Sequence, residues 1–271
     1  MRRSTIIAFL LACGCVFGAR AERDVSGSFD LQDVDTVRVD VPDSPLTVVA
    51  CTAEAETCPR TLSFEGTWLA FGGTRSEAEK TTERGDILFE VDEGFARLET
   101  VEDVDVEELL RLEFDELRLP NDVDLELVTD HGDIDVSGTR ANVRALTGAG
   151  DVVVFGADAG VVVRTDYGAV DVHTPGIVDL ATEEGDVHLA QTGGPRDAYV
   201  YTGRGELAVD LASDANLDLY IEARGPIDVK TDLVNTITEG AFHRVTGNGT
   251  VRVVLSNDAG PVIVRLFSDG A

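Results

Sequence analysis

The sequence predicts an all-β fold of stacked two-strand repeats, with coils of about 18–20 residues, and three observations carry that prediction. An eight-residue pattern, Thr-x-x-Gly-x-φ-x-φ with φ aliphatic, begins at Thr129, Thr147, Thr165, Thr182, Thr202 and Thr246, with an outlying copy at Thr82 and a degenerate one at Glu222. From Gly132 to Gly225 the pattern glycines fall 18, 18, 17, 20 and 20 residues apart. Two and four residues after them stand Ile134/Val136, Val152/Val154, Val170/Val172, Val187/Leu189, Leu207/Val209, Ile227/Val229 and, after Gly249, Val251/Val253. The residue between each pair varies freely, which is the period of two that a half-buried strand requires. Ahead of the glycine a second strand repeats the discipline, as in Val143/Ala145, Val161/Val163 and Val178/Leu180. A unit this small cannot bury its own apolar face, so it must stack on its neighbours.

The chain opens with Met1-Arg2-Arg3 and an apolar run at residues 6–16, too short to span a membrane, which reads as an export signal over residues 1–21. Two processing sites compete. Ala19-Arg20-Ala21 would release a soluble protein beginning at Glu22, whereas Leu10-Leu11-Ala12-Cys13 would leave Cys13 lipidated and the chain anchored to a membrane. Either way the expected location is the bacterial periplasm, outer-membrane surface or exterior. In that oxidising space Cys51 and Cys58 are expected to form a disulfide around residues 52–57. A metal or redox pair is the alternative, disfavoured because six residues separate the two and no second pair completes a zinc site.

Residues 22–98 read as an N-terminal cap of short strands. Val37, Val39 and Val41 alternate, Pro42-Asp43-Ser44-Pro45 turns the chain, and Leu46 and Val48 resume. A third strand carries Leu62, Phe64 and Trp68, with the indole as an apolar plug for one end of the core. One short surface helix is predicted within residues 72–83, where Thr74-x-x-Glu77 and Ser76-x-x-Glu79 both scan as capping boxes. Strands follow at 87–91 and 95–98. Residues 99–271 form the repeat region, opened by an acid-rich stretch whose residues 107–110 fit a helical turn as well as a strand. The irregular Arg224-Gly225-Pro226 and the long gap to Gly249 imply an insertion at 233–240.

Acidic residues number 51 against 22 basic ones, a net charge of −29. Such a surface repels phosphate backbones and anionic headgroups, which excludes nucleic acid as a partner and leaves the membrane accessible only through a lipid anchor. Basic proteins, glycans and cations remain. Asp133, Asp151, Asp186 and Glu206 follow the repeat glycines and would line one edge of a stack at ~5 Å spacing, where like charges repel unless coils stagger, solvent screens them or a cation intervenes.

The Thr-x-x-Gly-Asp-φ-x-φ array, the Leu119-Pro120-x-Asp122 turn that opens it and the export signal together resemble the adhesin-like domain-of-unknown-function family of bacterial envelope proteins, related to the auto-transporter adhesin head domain. The resemblance spans roughly residues 30–266. It implies a right-handed β-helix or β-solenoid and brings no catalytic residues with it.

Chemistry-bearing constellations are sparse. No G-x-S-x-G, Walker loop or H-E-x-x-H occurs. His131, His173, His188 and His243 take different offsets from their glycines, which predicts that stacking will not gather them into one cluster. Asp130, Asp133 and Asp135 crowd one corner and are the candidate calcium ligands, without an EF-hand loop or a G-G-x-G-x-D repeat to support them. The expected function is a non-catalytic envelope or surface protein with an acidic, elongated, adhesin-like binding face and an unidentified protein or glycan ligand. The alternatives are a polysaccharide-active enzyme and a calcium-stabilised structural module. The alternation makes one direct prediction: Val170→Asp lowers stability by about 4 kcal/mol or more, whereas Asp171→Val, one residue on, changes it by less than about 1 kcal/mol. Urea denaturation of both variants checks the register, and equal losses would refute it.

Overall fold

The computed structural model describes residues 19–51, 59–102, 109–211, 216–231 and 235–267. The leader with Cys13, the expected disulfide partner Cys58 and the ambiguous residues 107 and 108 lie outside these. The described residues form 21 strands in a single sheet and one short helix.

The repeat region alternates between two rows of strands. The first row holds β8 (Asp124–His131), β10 (Asn142–Ala149), β12 (Gly160–Tyr167), β14 (Ile177–Glu184) and β16 (Ala198–Arg204). The second holds β9 (Ile134–Ser137), β11 (Val152–Phe155), β13 (Val170–Thr174), β15 (Val187–Gln191) and β17 (Leu207–Leu211). Within each row every strand pairs in parallel with the next member of that row, so Thr129, Thr147, Thr165, Thr182 and Thr202 stand in register. Val152, Val170 and Val187 do the same in the second row. The predicted inward pairs, from Ile134/Val136 to Ile227/Val229, are all buried in one continuous core, and their intervening residues are not. Removing a Val or Leu from water in this way is worth about 1.5–3 kcal/mol.

The corners explain the Thr-x-x-Gly spacing. Thr147 Oγ1 donates to the carbonyl of Gly132 at 3.1 Å, Thr165 to Gly150 at 3.3 Å, Thr182 to Gly168 at 3.2 Å and Thr202 to Gly185 at 2.9 Å. Each threonine therefore ties its own coil to the corner glycine of the coil before it. Gly168 has φ +150°, and a Cβ there would collide with the carbonyl of Gly150. Only glycine lets the two backbones come so close.

Three features differ from the sequence expectation. First, β2 (Thr36–Asp40) and β3 (Leu46–Ala50), expected as strands of a cap, continue the array itself. They join opposite rows, β2 beside β8 and β3 beside β9, so the Pro42–Pro45 turn is itself a coil corner. Thr129 Oγ1 accordingly donates to the carbonyls of Pro42 and Ser44.

Second, the Thr246/Gly249 match is not a corner. Val251 starts β20 (Val251–Asn257), which joins the first row beside β16, and the true corner is Gly260, followed by Val262 and Val264 in β21 (Val262–Leu266). Asn257 stands in register with Thr202 and replaces the threonine, its Nδ2 donating to the carbonyl of Gly205 at 2.9 Å. The coil of β20 and β21 lies between that of β16 and β17 and that of β18 (Leu217–Thr231), which pairs with β20 through its first half and β21 through its second. The chain thus passes to the far end of the stack, turns back as β19 (Asn235–Val245), antiparallel to β18, and returns to fill the gap. The expected insertion overlaps the start of β19.

Third, the sheet is not a purely parallel helix of strands. It is a large, nearly closed, barrel-like wall with a parallel middle and antiparallel ends. Beyond β3 come β7 (Leu109–Leu119), β4 (Thr61–Gly72) and β1 (Ala19–Asp30), and beyond β2 come β6 (Phe95–Glu102) and β5 (Gly85–Asp92). Covering the first and last coils removes strand edges that would otherwise recruit other chains. Trp68 is completely buried in this end, as expected for a plug, with Gly85 of β5 against its indole, and Phe29 and Phe89 stack on each other at 4.0 Å. The helix, α1 (Arg75–Thr82), uses the Thr74–Glu77 capping box: Glu77 N–H donates to Thr74 Oγ1 and Thr74 N–H to Glu77 Oε2.

Gly168→Ala is expected to cost about 3 kcal/mol or more, because it combines positive-φ strain with a backbone clash. Gly240→Ala, at φ +83° with open space around the added methyl, should cost only about 1 kcal/mol. Chemical denaturation of the two variants measures the difference.

Candidate functional site

Alternation puts every variable side chain of the array on an outer face, and one such face gathers chemistry. Asp171 and His173 point outward from β13. His188 on β15 is in register with Asp171, and Asp210 on β17 is in register with Ala190. His188 Nδ1 lies 2.9 Å from Asp171 Oδ1, and His173 Nε2 lies 3.1 Å from the same oxygen. The other nitrogen of His188 faces Asp210 Oδ2 at 3.4 Å, and Arg265 Nη1 on β21 holds both Asp210 oxygens at 3.2 and 3.3 Å. Phe155 stacks on His173 at 4.7 Å, and the two imidazoles meet edge to face at 5.3 Å. The side chains of Asp171, His173 and His188 are 41%, 34% and 36% exposed.

This cluster corrects the expectation that the histidines stay apart. His173 stands five residues after its glycine and His188 three after its own, so on adjacent strands they are diagonal neighbours on one face. Identical offsets are needed for a straight ladder, but an offset difference of two also brings side chains together. His131 and His243 remain separate, each beside one carboxylate, Asp43 and Asp218 respectively.

The predicted cation ligands behave differently. Asp130, Asp133 and Asp135 are exposed at the first repeat corner. Among the described residues, the set of three donors whose ligand atoms all lie within 4.8 Å of one another is Asp171, His173 and His188. Asp133 Oδ1 accepts the N–H of Asp151 at 2.8 Å, Asp151 Oδ1 that of Ala169 at 2.7 Å and Asp186 Oδ1 that of Glu206 at 2.7 Å. The corner acids are therefore coil-to-coil acceptors, and these backbone donors offset the repulsion that their stacking creates. Cys51 sits at the end of β3, its N–H donating to the carbonyl of Leu119.

The outer face of the first row carries a different chemistry. Asp179, Tyr199, Val254, Tyr220 and His243 stand side by side across five strands, with Tyr199 and Tyr220 exposed. Next to them Tyr201 donates to Asp258 Oδ2 at 3.2 Å; burial, that hydrogen bond and the charges of Asp258 and Glu183 hold its phenol above the ordinary value of 10.0. An open groove of about 490 Å³ crosses the same row nearer its start, edged by Asp124, Glu126, Arg144 and Asp179. No helix among the described residues is long and apolar enough to cross a membrane.

No family model matches the chain, and no curated protein matches it in sequence. Among solved structures it is similar to a provisionally assigned cell-adhesion protein of Clostridium sporogenes, at 11% identity and TM-score 0.35, covering 92% of this chain and 100% of that one. It is also similar to provisionally assigned adhesins of Bacteroides fragilis, at 8% identity, TM-score 0.42 and 89% and 97% coverage, and of Parabacteroides distasonis, at 11% identity, TM-score 0.28 and 92% and 98% coverage. These neighbours are of the adhesin type that the repeat grammar resembles. At such identities and TM-scores they lend this chain no ligand and no mechanism.

If the corner carboxylates act as acceptors, Asp151→Ala should lower stability by about 1 kcal/mol, while Asp151→Asn, which keeps an oxygen for Ala169 N–H and removes a like charge, should leave it within about 0.5 kcal/mol. Thermal melts at low and high salt separate the two contributions.

Proposed function

We propose that the protein is an exported, non-catalytic component of the bacterial envelope or cell surface, a right-handed β-solenoid whose outer faces serve as an adhesin-like binding or scaffold surface. Parallel strands joined across a corner at intervals of about 18 residues support the solenoid reading, and right-handed crossovers are the rule for such connections. The charged leader supports export, and a Cys51–Cys58 disulfide belongs to the same reading.

The observation that carries the binding role is the outward row of Tyr199, Val254 and Tyr220, flanked by Asp179, Glu222 and Asp258 on a broad sheet face. Exposed phenol rings on a rigid sheet offer apolar, polarisable platforms at little conformational cost. The surrounding carboxylates favour a basic protein segment, while the rings alone suit the apolar faces of a sugar.

The test uses the mature protein immobilised on a surface, with a set of lysine- and arginine-rich peptides and a glycan panel as probes. Replacing Tyr199 and Tyr220 together by serine is expected to weaken capture at least about 5-fold without changing the melting temperature. A basic ligand would also be lost as salt rises, and a glycan would not. Absence of capture from both probe sets, or capture indifferent to the double substitution, would overturn this assignment of the face.

A further inference from the structure

We infer that Asp171, His173 and His188 form an open binding site for a divalent transition-metal ion of the zinc class, on the outer face of β13 and β15. The donor set itself selects the ion. Two imidazole nitrogens and one carboxylate oxygen suit zinc, copper or nickel, whereas calcium and magnesium require oxygen throughout. The site differs in both chemistry and place from the all-carboxylate corner of Asp130, Asp133 and Asp135 and from the tyrosine face.

The spacing fits such an ion. A tetrahedral zinc with bonds of about 2.0–2.1 Å holds its ligand atoms roughly 3.3 Å apart. Here Asp171 Oδ1 lies 2.9 Å from His188 Nδ1 and 3.1 Å from His173 Nε2, and all three donors fall within 4.8 Å of one another. Small side-chain rotations open the space an ion needs. The backbone does not have to move, because Asp171 and His173 share one strand and His188 is in register with Asp171 on the next.

The surroundings orient the ligands. Asp210 stands beside His188 Nε2 and is itself gripped by Arg265. With an ion between Nδ1 and Asp171, Nε2–H can donate to Asp210 while the Nδ1 lone pair turns to the metal, the carboxylate–histidine–metal relation common to zinc sites. On the other side Phe155 stacks on the His173 ring at an inclination of 29° and covers one of its faces. The partial exposure of the three ligands leaves the remaining coordination position open to water or to a donor from a partner, and the net charge of −29 raises the local concentration of cations.

The test is titration of the metal-free, tag-free protein with Zn²⁺ in the presence of a chromophoric competitor at physiological salt. One ion per chain is expected to bind at this site, with His173→Ala and His188→Ala each weakening it at least about 100-fold and Asp210→Asn by about 10-fold through loss of orientation. All three positions face outward, so melting temperatures without metal should stay within a few degrees of the parent. Asp133→Asn and Asp135→Asn should leave the affinity unchanged. Co²⁺ bound to the parent should give visible d–d bands that disappear in His173→Ala. Equal Zn²⁺ affinity in the parent and the His173→Ala/His188→Ala double variant, or full displacement of Zn²⁺ by equimolar Ca²⁺, would overturn the assignment.

Discussion

The structure depends on one contact, the close approach of successive backbones at the repeat corner. There a glycine without Cβ lies against the carbonyl of the previous corner, and three residues earlier a threonine hydroxyl donates to that same carbonyl. The hydrogen bond gives that turn oxygen a donor, and the missing side chain allows the coil spacing of a regular parallel ladder. Once the corners are superimposed, the aliphatic pairs on either side of them are superimposed as well. A single core column follows, running through every coil.

A stack of parallel coils has two open ends, and this chain covers each with antiparallel strands. At the start, β1, β4 and β7 extend one row, β5 and β6 extend the other, and Trp68 with its neighbouring phenylalanines fills the interior between them. At the finish, β18 crosses from one row to the other and β19 folds back along it. The helix buries Ala78, Thr81 and Thr82 and leaves its other side chains toward solvent.

With the inward positions committed to aliphatic packing, polar and titratable chemistry is left to the outward ones, which vary from coil to coil. Of the corner acids that look like a cation site in the sequence, Asp133 accepts the N–H of Asp151 in the next coil, as Asp151 in turn accepts that of Ala169. The imidazole and carboxylate groups of β13, β15 and β17 instead converge on one another, with Arg265 arriving from a segment more than fifty residues later. The tyrosine row draws on β16, β20 and β18 in the same way, mixing residues that are close in the sheet and distant in the chain.

The sequence by itself determined the two-strand coil, the inward and outward faces of each strand, the corner chemistry and one capped helix within residues 72–83, because alternation, glycine placement and capping act over a few residues. Only the tertiary structure decided which coil lies beside which. The Thr246 copy satisfies the local pattern, yet the corner forms at Gly260, where Asn257 supplies the donor that threonine provides elsewhere. The His173–His188 pairing has the same origin, since a repeat-by-repeat alignment displays equal offsets and conceals diagonal ones. Local rules specify the shape of a coil, but the order of coils and the meetings across their outer faces depend on where the chain is routed between them. That routing is set by competition among whole-coil packings, a long-range property that no eight-residue pattern contains.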